Sequence, residues 1–213
     1  MKLKKYSQQD ILNMEKFYRR NFCNTLAGFK SANLIGTVDN SGNTNLAVFN
    51  SVVHIGATPP YMGFILRPTT VPRHTYENIK ETEYYTFNHI NKSFVKEAHY
   101  TSAKFDKGVS EFDHSQLQTE YSETHKAPYV VESKLKIGLK YVEEHLIKAN
   151  NTILVIGEVI EVILNEEIVH PDGFIHLDQL DTVAISGLDA YYSTDLISRF
   201  SYARPEEEIH ELE

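Results

Sequence analysis

Turn chemistry cuts this 213-residue chain into short β-prone runs, and that division is what most limits its fold. Residues 29–38 are apolar and β-prone and close on Asp39-Asn40-Ser41-Gly42, a strand followed by a turn. Residues 45–55 form a second run, with Leu46, Val48 and Val52 among its apolar positions. Ala57-Thr58-Pro59-Pro60 stops it, because proline cannot donate to a ladder. Residues 61–66 are continuously apolar, a buried strand ending at Arg67-Pro68. Two close antiparallel strands followed by a third suggest a meander. A helix is expected over 74–81, a strand over 84–90, and a helix capped by Ser93 and running to 98. Further strands are expected over 135–146, 152–164 and 173–177, with 153–163 the most apolar.

The stretch from 101 to 126 is polar and poorly periodic. It reads as a long insertion between strands, of the kind that often carries function, here as a lid. At the N-terminus, Ser7-Gln8-Gln9-Asp10 has the form of a capping box with an acidic residue at its last position. A short helix to about Tyr18 follows from it. Residues 205–213 form an acidic tail, expected to fray. With neither repeat nor linker, the chain reads as one domain over 1–213, its N-terminal helix lying within about residues 1–20. Many strands with only short helices between them imply an all-β fold with short helices, closed as a barrel.

Charge and cysteine content narrow the function classes. The formal net charge is −8, which argues against nucleic acid and against anionic membranes. Cys23 is the sole cysteine, so neither an internal disulfide nor a cysteine-rich metal site can form, and no neighbour marks it as a reactive thiolate. No signal-like h-region opens the sequence, and no apolar run approaches the roughly 20 residues of a membrane span. The expectation is a cytoplasmic protein that binds no metal.

Three segments, taken in order, resemble the flavin reductase-like family on the FMN-binding split barrel. The first is Thr44-Asn45-Leu46-Ala47-Val48-Phe49-Asn50-Ser51 with Ala57-Thr58-Pro59-Pro60 after it. The family's serine is replaced or shifted by one here. The second is Arg67-Pro68 through His74-Thr75-Tyr76-Glu77-Asn78-Ile79, and the third Tyr85-Thr86-Phe87-Asn88-His89-Ile90. Gly157-Glu158-Val159 is similar to the family's penultimate strand. The resemblance spans roughly residues 22–205. It implies a single-domain Greek-key split barrel, a homodimer with FMN at the subunit interface, and hydride transfer from NADH or NADPH to flavin. Reduced flavin would then serve a partner monooxygenase or redox protein. A flavoredoxin-type electron carrier and a non-catalytic flavin-binding module are the alternatives within the same resemblance.

FMN asks for cations, hydroxyls and N–H groups at its phosphate and for close backbone approach at its ring edge. Asn45, Asn50 and Ser51 offer short polar groups beside Ala47, Phe49 and Val52. Arg67 closes a buried strand and suits bidentate phosphate binding. Thr75 and Asn78 sit at a helix start, where free N–H groups favour an anion; Arg73 is a second cation. Asn88, His89 and Ile90 end a strand and could turn backbone groups toward the flavin. The resemblance adds Ser102 near the phosphate and an aromatic, Tyr192, near the ring. No catalytic residue is assigned, since the cofactor carries the chemistry and the protein orients it.

Overall fold

The computed structural model describes residues 2–212. Two short helices, α1 (Gln8–Asn13) and α2 (Lys16–Thr25), come first. A run of strands follows: β1 (Lys30–Ser31), β2 (Asn33–Val38), β3 (Thr44–Phe49), β4 (Val52–Ala57) and β5 (Pro60–Leu66). Helix α3 (His74–Thr82) leads into β6 (Tyr84–His89), then α4 (Val95–Tyr100) and α5 (Glu111–Ser115). Next are β7 (Thr119–Glu120), β8 (Tyr129–Val130) and the two long strands β9 (Leu135–Ile147) and β10 (Thr152–Leu164). Strands β11 (Val183–Ser186), β12 (Ala190–Ser193), β13 (Arg199–Phe200) and β14 (Glu211–Leu212) complete the chain.

One antiparallel sheet of seven strands, in the order β3-β2-β6-β9-β10-β5-β4, makes the body. Its two outermost strands, β3 and β4, are consecutive in the chain and separated only by Asn50 and Ser51. The sheet therefore closes on itself covalently, as a barrel whose seam is one bent strand. Alternation along β2 shows why both faces are apolar. Ile35 points inward to Phe64, Tyr85, Phe87, Ile137, Leu139 and Val155, which fill the barrel. Leu34 points outward to a second core with Leu46, Ile90, Phe94, Ala98, Phe112, Leu117 and Val130.

Local chemistry explains most element ends. The capping box forms as expected, with Ser7 Oγ accepting from Asp10 N–H at 3.2 Å and Asp10 accepting from Ser7 N–H at 2.8 Å. The helix stops earlier than expected, at Asn13, because Glu15 starts a new one by accepting from Phe17 and Tyr18 N–H. Asn91, rather than Ser93, caps the turn of helix before α4 by accepting from Ser93 N–H.

Four expectations are corrected. The run over 45–55 is two strands broken at Asn50-Ser51, and its halves pair at opposite ends of the sheet order instead of forming a meander. Residues 173–177 make no strand; a lone bridge joins Val169 to Ile175. The acidic tail folds back, β14 pairing with β13. The insertion over 101–126 is a fastened strap, not a lid. Glu111 is buried and accepts from Leu46 N–H at 2.8 Å, Ser110 and Thr44 hydroxyls meet at 2.6 Å, and Asn88 accepts from Val130 N–H at 2.9 Å. The strap crosses so close that a β-carbon on Gly36 would collide with the Pro128 carbonyl.

Candidate functional site

The site is built around the seam of the barrel. At the end of β3, Phe49 turns inward and its ring packs on Phe64 with centroids 5.0 Å apart. Asn50 then donates from Nδ2 to the Gly187 carbonyl at 2.6 Å, in the turn between β11 and β12. Ser51 donates from Oγ to the Ile65 carbonyl at 2.9 Å, while Ile65 N–H donates to the Ser51 carbonyl at 3.3 Å. Val52 packs against the inner core. The corner is thus pinned on β5 and on the β11–β12 turn, and Phe49, Asn50, Ser51 and Val52 are all half-buried.

Two residues past Ile65 lies Arg67, exposed at the end of β5. Arg73 sits beside it, half-buried, donating from Nε and Nη2 to the Pro68 carbonyl at 3.3 and 3.2 Å. Burial, with the charge of Arg67 added, pulls the Arg73 guanidinium below its ordinary value. Arg73 is the N-cap of α3 and supplies it no side-chain acceptor. Glu77, in the first turn of α3, accepts from the Arg73 N–H at 3.1 Å, so one carboxylate already faces this helix start.

The other expected residues divide clearly. Asn45 donates to Thr75 Oγ1 at 3.0 Å and Asn78 donates to Thr37 Oγ1 at 3.1 Å, both pairs buried. These bonds tie α3 to β3 and β2, so Asn45 and Asn78 position the helix; the Thr75 hydroxyl keeps its own proton to donate. Ala47 lies opposite Ile35, in the wall behind the corner. Tyr192 is 44% exposed on β12, with Phe29 edge-on at 4.8 Å. Three residues do not reach the corner. Asn88 is fully buried and spends its amide on Leu34, Thr86 and Val130. Ile90 is fully buried, its N–H on Ala32 and its carbonyl on Val183. Ser102 lies in the exposed turn after α4, its N–H on His99.

His89 ends on the inner face of β6. Its enclosed ring is pushed down to about 4 by burial, and Nδ1 has no partner. Directly across the ladder stands Asn33, wholly buried, with neither amide atom partnered. Asn33 also lies opposite Phe49, so one row across three strands runs from the seam to His89. Sequence reasoning missed Asn33; only its register shows it. Beside the β11–β12 turn, an open cavity of about 520 Å³ is lined by Lys92, Ser93, Lys96, His99, Asp189 and Tyr191. Burial, then the Asp189 charge, pushes the Tyr191 hydroxyl up to about 12. Among the described residues no group of three His, Cys, Asp or Glu could hold a metal ion, and no helix is long and apolar enough to cross a membrane.

Comparison with known proteins bears on this geometry. A family model described as "Flavin reductase like domain" matches residues 26–179. A structure described as "putative flavin reductase with split barrel domain", from Shewanella frigidimarina NCIMB 400, shares 50% identity over 94% of this chain and 100% of its own, with a TM-score of 0.91. Nitrilotriacetate monooxygenase component B from Bacillus cereus shares 16% identity over 92% of this chain and 98% of its own, at a TM-score of 0.78. Flavoredoxin of Desulfovibrio vulgaris (Miyazaki F) shares 23% identity over 84% of this chain and 92% of its own, at 0.69. No curated protein matches the sequence.

Proposed function

Because the chain belongs to the flavin reductase-like domain family, we propose that it is an FMN-binding, NADH- or NADPH-dependent flavin oxidoreductase working as a homodimer. The observation that carries the cofactor reading is the pair Arg67 and Arg73 at the start of α3, where Arg73 supplies no side-chain cap, beside the pinned corner. A dianion there would be drawn by both guanidinium groups and by the first N–H groups of α3, for which Arg73 offers no side-chain acceptor. Arg67 and Arg73 hold the phosphate, with Thr75 donating its hydroxyl proton. Backbone groups of Asn50 and Ser51 orient the ring edge, and Tyr192 flanks it. FMN held there would supply the two-electron chemistry. The protein's part is to orient FMN and the nicotinamide nucleotide and to keep water out, which fits a site with no assigned acid or base.

The likeness to a monooxygenase component B supports delivery of reduced flavin to a partner monooxygenase or redox protein. The likeness to a flavoredoxin supports the carrier as second reading. Anaerobic mixing separates them. As a reductase, the FMN-loaded protein is bleached by NADH or NADPH within seconds and turns over added FMN. If neither nucleotide bleaches it while dithionite does, the reductase reading fails and the carrier or binding-module reading replaces it.

A further inference from the structure

The first thirty residues differ from the rest in burial and in charge. Local bonds define both helices: the Ser7 capping box closes α1, Glu15 accepts from Phe17 and Tyr18 N–H at 2.7 and 3.0 Å, and Arg19 Nη1 donates to the Leu12 carbonyl at 2.5 Å. Yet no residue of α1 or α2 is buried. Leu12, Phe17, Tyr18 and Leu26 stand 56, 59, 57 and 65% exposed. Helices of six and ten residues fall short of the ~12–15 that water sustains without tertiary support. Their apolar side chains need a surface that this chain does not supply.

Charge indicates which surface. Residues 1–30 hold seven Lys and Arg against two Asp and Glu, a net +5. Residues 31–213 hold fourteen against twenty-seven, a net −13. An anionic bilayer or a nucleic acid that attracted the arm would repel the body joined to it, within a screening length of about 8–10 Å. A second copy offers a body opposite in charge to the arm and is always present at equal concentration; the two bodies repel each other as well, and a reciprocal exchange sets two basic arms against that repulsion. Its long strands carry an apolar strip of the needed kind, with Val142 and Leu146 at 41 and 57% exposed next to exposed Glu143.

We propose that residues 1–28 form an intersubunit arm, which lays Phe17, Tyr18 and Leu26 and its basic side chains on the acidic body of a second copy of this chain. The inference rests on the homodimer proposed above and adds the element that holds it. A two-fold pair would exchange two such arms, satisfying both bodies at once. The arm leaves its own subunit at Phe29, whose ring packs on Tyr192, so arm docking and the flank of the candidate flavin site share one contact.

Sedimentation of the FMN-loaded full chain, of a form starting at Phe29, and of a full-length Lys16→Glu/Arg19→Glu/Arg20→Glu variant tests this. The full chain should be a dimer at micromolar concentration. The shortened form should dissociate at least about 100-fold more readily and the triple variant at least about tenfold, the latter gap shrinking in high salt. Should the shortened form not fold, the triple variant decides. A monomeric full chain overturns both the dimer and the arm. A full-length dimer matched in tightness by both variants overturns the arm alone and leaves the dimer standing. Arm-dependent binding to phosphatidylserine vesicles, with dimer strength unchanged, overturns it in favour of a membrane surface.

Discussion

Asn50 and Gly187 lie 137 residues apart and are joined by a 2.6 Å hydrogen bond from the amide of one to the carbonyl of the other. It is the bond that holds the barrel seam against the β11–β12 turn. Asn50→Ala leaves the half-buried carbonyl without its donor, at a cost of about 1–2 kcal/mol. Thermal unfolding should come roughly 2–8 °C lower, and calorimetric FMN affinity should fall as the corner loosens. An unchanged midpoint with unchanged affinity would show that the bond organises nothing.

The arginine pair predicts discrimination between two flavins. A charge-assisted phosphate contact contributes about 1.5–3 kcal/mol, so Arg67→Ala should weaken FMN by about 10- to 150-fold and riboflavin far less. Arg73→Ala should do the same, with some added loss of stability because Arg73 also braces the Pro68 carbonyl. Titration of each variant with both flavins decides; equal losses for the two would place the phosphate elsewhere.

His89 predicts a pH dependence with a definite sign. Burial lowers its folded value to about 4, beneath the ordinary 6.5. Above 6.5 the ring is neutral folded and unfolded, and costs nothing. Between 6.5 and 4 the unfolded chain binds the extra proton, so stability is lost progressively as pH falls, by up to about 3 kcal/mol. Urea unfolding of the wild type at pH 7 and pH 4.5, set against His89→Gln, should show a steeper acid loss in the wild type. Parallel curves would mean that the ring is not enclosed.

Gly138 predicts how the strap is held. A β-carbon there would collide with Tyr129, Glu161 and His125. Those groups meet because Glu161 accepts from Ser122, Thr124 and Tyr129 hydroxyls. Gly138→Ala should cost about 1–3 kcal/mol and speed amide exchange over 119–130 ahead of the barrel strands. Uniform exchange across the chain would contradict a locally seated strap.

How much of this was legible in the sequence depended on whether the cause was local. The capping box at Ser7, the turn at Asp39–Gly42 and the two long apolar strands carry their signals within a few residues, and they appear. The seam does not announce itself, since Phe49 and Val52 continue one apolar pattern while Asn50-Ser51 changes the pairing partner. Asn88 read as a ligand because it ends a strand, but its partner Val130 is 42 residues away. Phe112 and Leu117 fill holes on the outer face of β2 and β3, a task with no period, so the strap read as a loose insertion. Asn33 gains meaning only from the register that sets it between Phe49 and His89.

The seam has a last consequence, for length rather than for chemistry. Phe49 and Val52 are three positions apart in the chain, yet one is paired to β2 and the other to β5, at the two margins of the sheet. Because strand faces alternate with a period of two, adding or removing one residue between them would turn the side chains of one whole ladder inside out. The corner is therefore constrained in length as well as in the two side chains that pin it. A one-residue insertion or deletion here would have to be absorbed in the corner itself to keep both ladders in register.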